Sequence, residues 1–258
     1  QKCGTTSLHH LLAQHREIIG SSPKELHFFN SKLYFKDLGG GSIPNYRSFF
    51  NGKAKRYFES TPAYLYHPNT AENIRLYYPK IKLIVLLREP GARAYSAWNH
   101  YRTLFPKWVK DDTIRRLPRR SGNRLYEMLF QDRNEFPSFR ECIELEMDLI
   151  EQKDPAFEPG LLRRGVYYKQ LETYTSVFSG DQVMVVGFKQ FLHDLESTLD
   201  KIYQFVGVGS IDAKELGKEP KNTRAYLEPM PTSDRQLLDD FYAEPNEKLF
   251  GKYGEISW

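Results

Sequence analysis

Apolar and polar positions along the chain divide it into short buried strands separated by amphipathic stretches. Two continuous apolar runs rich in β-branched residues, 82–87 and 182–187, predict buried strands. A shorter strand is expected at residues 54–59. Leu8, Leu11 and Leu12 recur at helical spacing and predict a helix over residues 6–19.

Helical patterns recur between and after these strands. Further helices are predicted over residues 69–78, 91–104, 138–152, 161–178, 192–206 and 232–248. Strands that alternate with helices favour a parallel sheet covered on both faces. There is no internal repeat and no linker-like segment, so residues 1–258 are expected to form a single domain.

Composition restricts the classes of function. The 258 residues carry 37 basic and 33 acidic side chains, a net charge of +4 that suits an anionic ligand but is weak for a nucleic-acid binder. Two cysteines can form neither a disulfide scaffold nor a four-cysteine zinc site, although one bridge remains open. No apolar run is long enough to cross a membrane.

The first seven residues have the chemistry of an anion-binding loop. The positive end of a helix dipole would face the ligand, Gly4 would let the backbone approach it, and Lys2 would add a charge. The lysine precedes the glycine, so this is not a Walker A loop. An ordinary capped helix start is the alternative. Such loops follow a buried strand, so we expect that an N-terminal strand is missing from this chain.

Five stretches, in the family's order, resemble PAPS-dependent sulfotransferases, where PAPS is 3′-phosphoadenosine 5′-phosphosulfate. The chain is most similar to glycosaminoglycan enzymes: the heparan sulfate N- and 3-O-sulfotransferases and the galactosamine 4-sulfate 6-O-sulfotransferase. The stretches are Lys2-Cys3-Gly4-Thr5-Thr6, Lys24-Glu25-Leu26-His27-Phe28-Phe29, Glu59-Ser60-Thr61-Pro62-Ala63-Tyr64, Leu86-Leu87-Arg88-Glu89-Pro90 with Arg93 and Ser96, and Thr223-Arg224-Ala225 with the segment 242–246.

The resemblance implies a three-layer α/β sandwich with a central parallel sheet of four or five strands and a P-loop-like site. It also implies the donor PAPS, the product PAP (adenosine 3′,5′-diphosphate), no metal, and the following donor-binding residues: Lys2, Cys3, Gly4, Thr5, Thr6, Ser7, Arg88, Ser96, Thr223 and Arg224. Arg88 follows the apolar strand, at the sheet edge where ligands bind, and offers a rigid fork of donors. Arg93 shares a helical face with Ser96 and either binds phosphate or pairs with an acidic neighbour.

Glu25 is the predicted catalytic base, at the position of the family's catalytic glutamate. His27 is a second candidate, as base or as the group that orients Glu25 or the acceptor, and an extended segment would point both to one side. Lys2 would also stabilise charge on the leaving group. The alternative for Glu25 is a surface pair with Lys24 or with a nearby arginine.

One departure from the family is Ser60, where the 3-O enzymes have lysine. Another cation, such as Lys32 or Arg102, would have to compensate, or the acceptor chemistry differs. The seven basic residues of segment 107–124 either grip an anionic glycan or form a solvated loop. Cys3 is expected to be a small filler rather than a nucleophile.

These observations predict sulfuryl transfer from PAPS to a hydroxyl, less readily an amine, of a carbohydrate. A nucleotide-dependent phosphoryl transferase and a non-catalytic PAP- or glycan-binding module remain alternatives. The sequence leaves the oligomeric state open. The lack of an anchor, the lack of a glycosylation acceptor and the low cysteine count favour the cytoplasm, as for bacterial relatives, whereas related animal enzymes work in the Golgi lumen.

Overall fold

Helices and short parallel strands alternate through the chain, which we analysed as a computed structural model. The structure describes residues 1–31, 43–110, 133, 135–155, 160–211, 216–217 and 228–258. The strands are β1 (Ile18–Gly20), β2 (Arg56–Phe58), β3 (Leu83–Leu87) and β4 (Val183–Gly187). The α-helices are α1 (Thr5–Leu12), α2 (Ile43–Arg47), α3 (Thr70–Tyr77), α4 (Pro90–Lys110), α5 (Phe139–Glu151), α6 (Tyr167–Val177), α7 (Phe188–His193), α8 (Leu195–Val206) and α9 (Thr232–Tyr253). Short 3-10 helices span Arg163–Gly165 and Gly180–Gln182.

The described strands pair in two parallel ladders. Strand β1 pairs with β2, with Ile18 opposite Arg56, and β3 pairs with β4, from Leu83 opposite Val183 to Leu87 opposite Gly187. The parallel, helix-connected arrangement was predicted, but the single sheet of four or five strands is not formed within the described residues. A sheet is continuous only where neighbouring strands share a ladder, and no described strand joins β2 to β3.

Alternate residues of β3 pack in different cores, which gives the three-layer arrangement. Leu86 belongs to a cluster with Leu8 and Leu11 of α1 and with residues of α8. Leu87, on the opposite face, packs in a cluster with α6 and α9. Because successive side chains of a strand point to opposite faces, both faces of the β3–β4 pair are covered by helices.

The helix predicted over residues 6–19 is too long. The structure ends α1 at Leu12, and Ile18–Gly20 is a strand instead. His15 explains the change, because its ring accepts from the Glu17 N–H at 3.0 Å and contacts the Gly209 carbonyl at 2.7 Å. These bonds give the backbone an alternative to the helical ladder.

The other element predictions are confirmed with shifted boundaries. The helix predicted over 192–206 is two helices, α7 and α8, that meet at Asp194. Helices α4 and α9 continue past Pro106 and Pro245, beyond their predicted ends. Within the described part of the chain, no helix combines the length and apolarity needed to cross a bilayer.

Candidate active site

The loop before α1 has the backbone geometry of an anion site. Lys2 and Gly4 are both left-handed, with φ of 65° and 84°. A Cβ on Gly4 would lie 2.9 Å from the Phe188 ring, so both the conformation and the available space require glycine. Left-handed residues in such a loop can direct successive N–H groups to one side, which is how backbone nests bind anions.

Helix α1 begins at Thr5 directly behind this loop. Its first helical bond runs from the Leu8 N–H to the Gly4 carbonyl at 3.0 Å, so the N–H groups of Thr5 and Thr6 precede the helical ladder. In the described structure no side chain caps this helix start. The positive end of the helix thus adjoins the loop, and its binding of phosphate stays a prediction.

Arg88 lies beside the loop, although it is distant in sequence. Its Nη1 donates to the Lys2 carbonyl at 3.4 Å, and its guanidinium lies 5.1 Å from the centre of the Phe188 ring. The Tyr167 hydroxyl donates to the Arg88 carbonyl at 2.8 Å and lies 4.0 Å from the Cys3 sulfur. The start of α6 thus connects the end of β3 to the loop.

Arg93 and Ser96 are both buried on α4, with 1% and 7% of their surface exposed. Arg93 donates to the Leu161 carbonyl, and the fully buried Glu146 carboxylate is in its electrostatic neighbourhood. No ion pair joins Arg93 to an acidic side chain in the described residues, and its Nε and Nη1 are buried with no hydrogen-bond partner there, so both alternatives for Arg93 stay open. The contact of Ser96 with phosphate stays a prediction.

Glu25, His27 and Lys24 form one charged cluster. The Lys24 ammonium donates to one Glu25 carboxylate oxygen at 2.7 Å, and His27 Nε2 lies 3.6 Å from the other. Glu25 and His27 point to the same side, as predicted. The segment is not extended, however, because His27 is left-handed with φ 51°. The side chains of Glu25 and His27 are 42% and 52% exposed, so the cluster is open to an acceptor.

The charges of this cluster shift the pKa values in opposite directions. The hydrogen bond from His27 and then the contacts with Lys24 lower the pKa of Glu25 to about 2. The same bond raises the pKa of His27 above its usual value. Glu25 is therefore ionised throughout the physiological range, as a proton acceptor must be.

A second polar group, which the sequence analysis missed, lies beneath this cluster. The Glu59 carboxylate accepts hydrogen bonds from the hydroxyls of Tyr46, Thr61 and Tyr64 at 2.8–2.9 Å. Glu59, Thr61 and Tyr64 belong to a stretch already singled out by its resemblance to the family. The signal was present, but only the neighbouring Ser60 was considered.

Ser60 has different neighbours from those expected. His9 Nδ1 lies 3.0 Å from the Ser60 hydroxyl, and burial lowers the pKa of His9 to about 4, so that ring is neutral. The Lys24 ammonium donates to the Ser60 carbonyl at 3.0 Å. Arg102 instead stacks on the Trp98 ring at 4.8 Å. Lys32 lies outside the described residues.

The two cysteines are buried and both are free thiols, so the bridge that the sequence left open is not formed. Cys3 donates from its sulfur to the Gln1 carbonyl at 3.4 Å and is 2% exposed, which agrees with the expected filler. The described residues contain no cluster of histidine, cysteine and carboxylate side chains able to hold a metal ion. Thr223, Arg224 and most of segment 107–124 lie outside the described residues.

Comparison with known proteins points to one family. A family model described as a sulfotransferase domain matches residues 1–224. A solved sulfotransferase from Alicyclobacillus acidocaldarius superposes with a TM-score of 0.68 at 26% identity, covering 97% of this chain and 91% of that one.

Curated relatives carry similar names. The chain is 25% identical to the membrane-associated sulfotransferase kil1 of Dictyostelium discoideum, over 96% of this chain and 62% of that protein. It is 26% identical to the human bifunctional heparan sulfate N-deacetylase/N-sulfotransferase 1, over 99% of this chain and 29% of that protein. It is 23% identical to rat carbohydrate sulfotransferase 15, over 96% of this chain and 51% of that protein. The chain thus spans less than two thirds of the length of each of these relatives. Because the family model covers most of the chain, this protein belongs to the sulfotransferase domain family.

Proposed function

We propose that the chain transfers a sulfuryl group from PAPS to a hydroxyl of a carbohydrate acceptor. The observation that carries this proposal is the contact between the Arg88 guanidinium and the Lys2 carbonyl, 86 positions apart in sequence. This contact brings together two groups that suit phosphate, the guanidinium of an arginine and the N-terminus of a helix. PAPS requires two such groups, because its 5′-phosphosulfate and its 3′-phosphate are separate.

The described residues fit such a donor. Gly4 is required by its left-handed backbone and by the Phe188 ring that a side chain would strike, and α1 begins directly after it at Thr5. In this proposal the loop 2–7 holds the 5′-phosphosulfate, and Arg88 and Ser96 hold the 3′-phosphate. Thr223 and Arg224 are assigned to the donor by resemblance alone.

Glu25 acts in this proposal as the base for an in-line displacement. As the bond from the acceptor oxygen to sulfur forms and the bond from sulfur to the 5′-phosphate oxygen breaks, the hydroxyl proton passes to the Glu25 carboxylate. His27 orients that carboxylate through the ion pair at 3.6 Å. Lys2 stabilises the charge that develops on the departing phosphate.

In this proposal Lys24 replaces the lysine that the 3-O enzymes have at the position of Ser60. Its ammonium already lies against the Ser60 carbonyl and the Glu25 carboxylate. Lys24 thus supplies a positive charge beside the proposed base, despite the serine.

The carbohydrate acceptor is inferred from the relatives, whose names include heparan sulfate and carbohydrate sulfotransferases. Exposure of the Glu25–His27 pair agrees with a large acceptor that approaches from solvent. Transfer of labelled sulfate from PAPS to a panel of desulfated glycans would identify the acceptor class.

Calorimetric titration of the chain with PAP, using ATP as a control ligand, tests the donor assignment. We expect micromolar PAP binding and far weaker ATP binding. Lys2→Ala and Arg88→Ala should each weaken PAP binding by about 1.5–3 kcal/mol, or roughly 10- to 150-fold, the scale of charge-assisted hydrogen bonds. Lys80→Ala, which alters an exposed lysine before β3, is the matched control and should leave the affinity unchanged.

Equal binding of PAP and ATP, with turnover of ATP, would favour the phosphoryl transferase. PAP binding without sulfate transfer to any acceptor of the panel would favour the binding module. Absence of PAP binding would refute the donor assignment.

A further inference from the structure

The segment that carries Glu25 and His27 has no helix or strand to hold it. Residues 25–28 have no regular secondary structure, and the left-handed His27 lies between the deeply buried rings of Phe28 and Phe29 on one side and the exposed Glu25 on the other. Its backbone N–H groups must therefore find partners outside a ladder.

Two hydroxyl groups accept four consecutive N–H groups of this segment. Thr61 Oγ1 accepts from Leu26 at 3.0 Å and from His27 at 3.3 Å. Tyr64 Oη accepts from Phe28 at 2.9 Å and from Phe29 at 3.3 Å. Both hydroxyls lie on the turn that follows β2, about 35 positions after the N–H groups that they accept.

Both hydroxyls donate their single proton to one carboxylate. Thr61 donates to Glu59 Oε2 at 2.8 Å, Tyr64 donates to Oε1 at 2.8 Å, and Tyr46 adds a third bond to Oε1 at 2.9 Å. A hydroxyl that accepts two N–H donors has its proton free for an acceptor. Burial raises the pKa of Glu59. In its ionised form the carboxylate only accepts, so its two oxygens fix the direction of both hydroxyls.

The surroundings hold this network in place. Thr61 and Tyr46 are 6% and 7% exposed, and the Tyr174 hydroxyl donates to the Tyr64 carbonyl at 2.7 Å. Asn73 donates to the Phe29 carbonyl at 2.8 Å, which secures the end of the segment. A network that is satisfied and partly buried has few alternative arrangements.

We propose that Glu59 is a positioning residue for the sulfuryl transfer: through Thr61 and Tyr64 it fixes the backbone of residues 26–29 and thereby aims Glu25 and His27. This inference rests on the proposed function, in which those two side chains handle the acceptor proton. Glu59 itself faces the hydroxyl groups beneath the segment and is not assigned a contact with donor or acceptor.

Glu59→Gln tests the carboxylate. An amide has one oxygen, and its NH₂ group can only donate, so three hydroxyl donors can no longer all be accepted. We expect kcat for labelled-sulfate transfer to fall about 10- to 100-fold, the cost of misplacing a catalytic group, while the PAP dissociation constant changes less than about 2-fold. Tyr46→Phe is the matched control, because it removes a bond to Glu59 but keeps the ring that packs against Phe28 and Phe29. It should cost less than about 3-fold in kcat.

A pair of Thr61 variants separates positioning from simple stabilisation. Thr61→Val has a similar shape but no hydroxyl, and it should reproduce the loss in kcat. Thr61→Ser keeps the hydroxyl and should recover most of the activity, even if its melting temperature is no higher than that of Thr61→Val. Equal kcat in the two variants, or kcat within 2-fold of the parent in Glu59→Gln and Thr61→Val, would overturn the proposal.

Hydrogen exchange provides a readout that does not depend on turnover. Amide protection at residues 26–29 should drop in Thr61→Val and Glu59→Gln while that of β3 is retained. Unchanged protection at 26–29 would refute the positioning. If the parent chain binds no PAP, the proposed function fails, and the network then has no catalytic role. The exchange data would still decide whether Glu59 orders residues 26–29.

Discussion

At the scale of single residues, the Glu25 carboxylate combines two properties that oppose one another. Its hydrogen bonds to His27 and Lys24 keep it ionised, but the low pKa of about 2 makes it a weak base in the resting site. An acceptor hydroxyl that displaces Lys24 from the carboxylate would remove part of that stabilisation. The cluster can thus hold the base charged before the acceptor arrives and strengthen it afterwards.

Glu25→Gln should separate catalysis from donor binding. The amide keeps the shape of the side chain but cannot take up the proton, so turnover should fall at least ~100-fold while PAP affinity is nearly intact. Transfer of labelled sulfate together with calorimetry measures both quantities. Glu72→Gln, on the exposed first turn of α3, serves as control. Unchanged turnover in Glu25→Gln would show that Glu25 is not the base.

The pKa of His27 offers a test that needs no substrate. It is raised because the imidazolium bonds to the Glu25 carboxylate, so Glu25→Gln should move it back toward the unperturbed value of about 6.5. NMR titration of the imidazole measures the change. A His27 pKa that is the same in parent and variant would show that the two side chains do not pair in solution.

The same pair predicts the pH dependence of activity. Below the raised pKa, His27 is charged and keeps Glu25 weakly basic; above it, the neutral ring leaves Glu25 a stronger acceptor. The value of kcat/KM should therefore rise with pH through a pKa above 6.5, and His27→Asn should flatten that limb. If His27 were itself the base, His27→Asn would instead lose activity at least ~100-fold at every pH.

At the scale of elements, the end of β4 depends on the last residues of the chain. A Cβ on Gly187 would lie 2.0 Å from the Ser257 carbonyl oxygen, and that carbonyl also accepts from the Gln190 N–H at 3.2 Å. The neighbouring Trp258 ring lies 6.1 Å from the Tyr167 ring, which contacts the predicted donor loop. The C-terminal residues thus pack at the carboxyl edge of the sheet, near the proposed site.

Gly187→Ala should destabilise the fold because the clash is with backbone and cannot be relieved by a side-chain rotation. We expect a loss of about 1–3 kcal/mol, as for other overpacked sites. Gly251→Ala in α9 is the matched control, since nothing lies within 4 Å of its Cβ, and helix propensity should raise stability by about 0.5–1 kcal/mol. Thermal melting of both variants measures the difference. A Gly187→Ala protein as stable as the parent would contradict the packing of the tail.

At the scale of the whole molecule, strand β3 connects the cores on its two sides. Leu86 packs with α1 and α8, whereas Val85 and Leu87 pack with α6 and α9. Loss of the cluster on one face would leave the strand half-covered, and a parallel pair needs cover on both faces. The two clusters should therefore unfold together.

Leu171→Ala tests this coupling. Leu171 is 0% exposed on α6, so its truncation should cost about 2–5 kcal/mol and lower the denaturation midpoint. Circular dichroism and tryptophan fluorescence should still report one coincident transition. Leu192→Ala, at a side chain that is 50% exposed, should change stability by less than about 0.5 kcal/mol. Two separate transitions would show that the faces unfold independently.

The sequence by itself determined the buried strands 83–87 and 183–187, most helices and the family, because apolar runs, helical periodicity and local motifs depend on neighbouring residues. It also identified Lys2, Arg88, Glu25 and His27 as candidates. The end of α1 at Leu12 could not be predicted from the sequence. The contact that favours the turn after it joins His15 to Gly209, and these residues are 194 positions apart.

Only the tertiary structure decided how the candidates meet. The contact of Arg88 with the Lys2 carbonyl and the convergence of Thr61 and Tyr64 on Glu59 depend on strand order and on turns that bring distant segments together. The hydroxyls of Tyr46, Thr61 and Tyr64 lie 2.8–2.9 Å from the Glu59 carboxylate and donate to it. No local sequence pattern encodes which groups meet in this way. Residue types set the chemistry available to the site, and long-range packing set the geometry in which that chemistry can act.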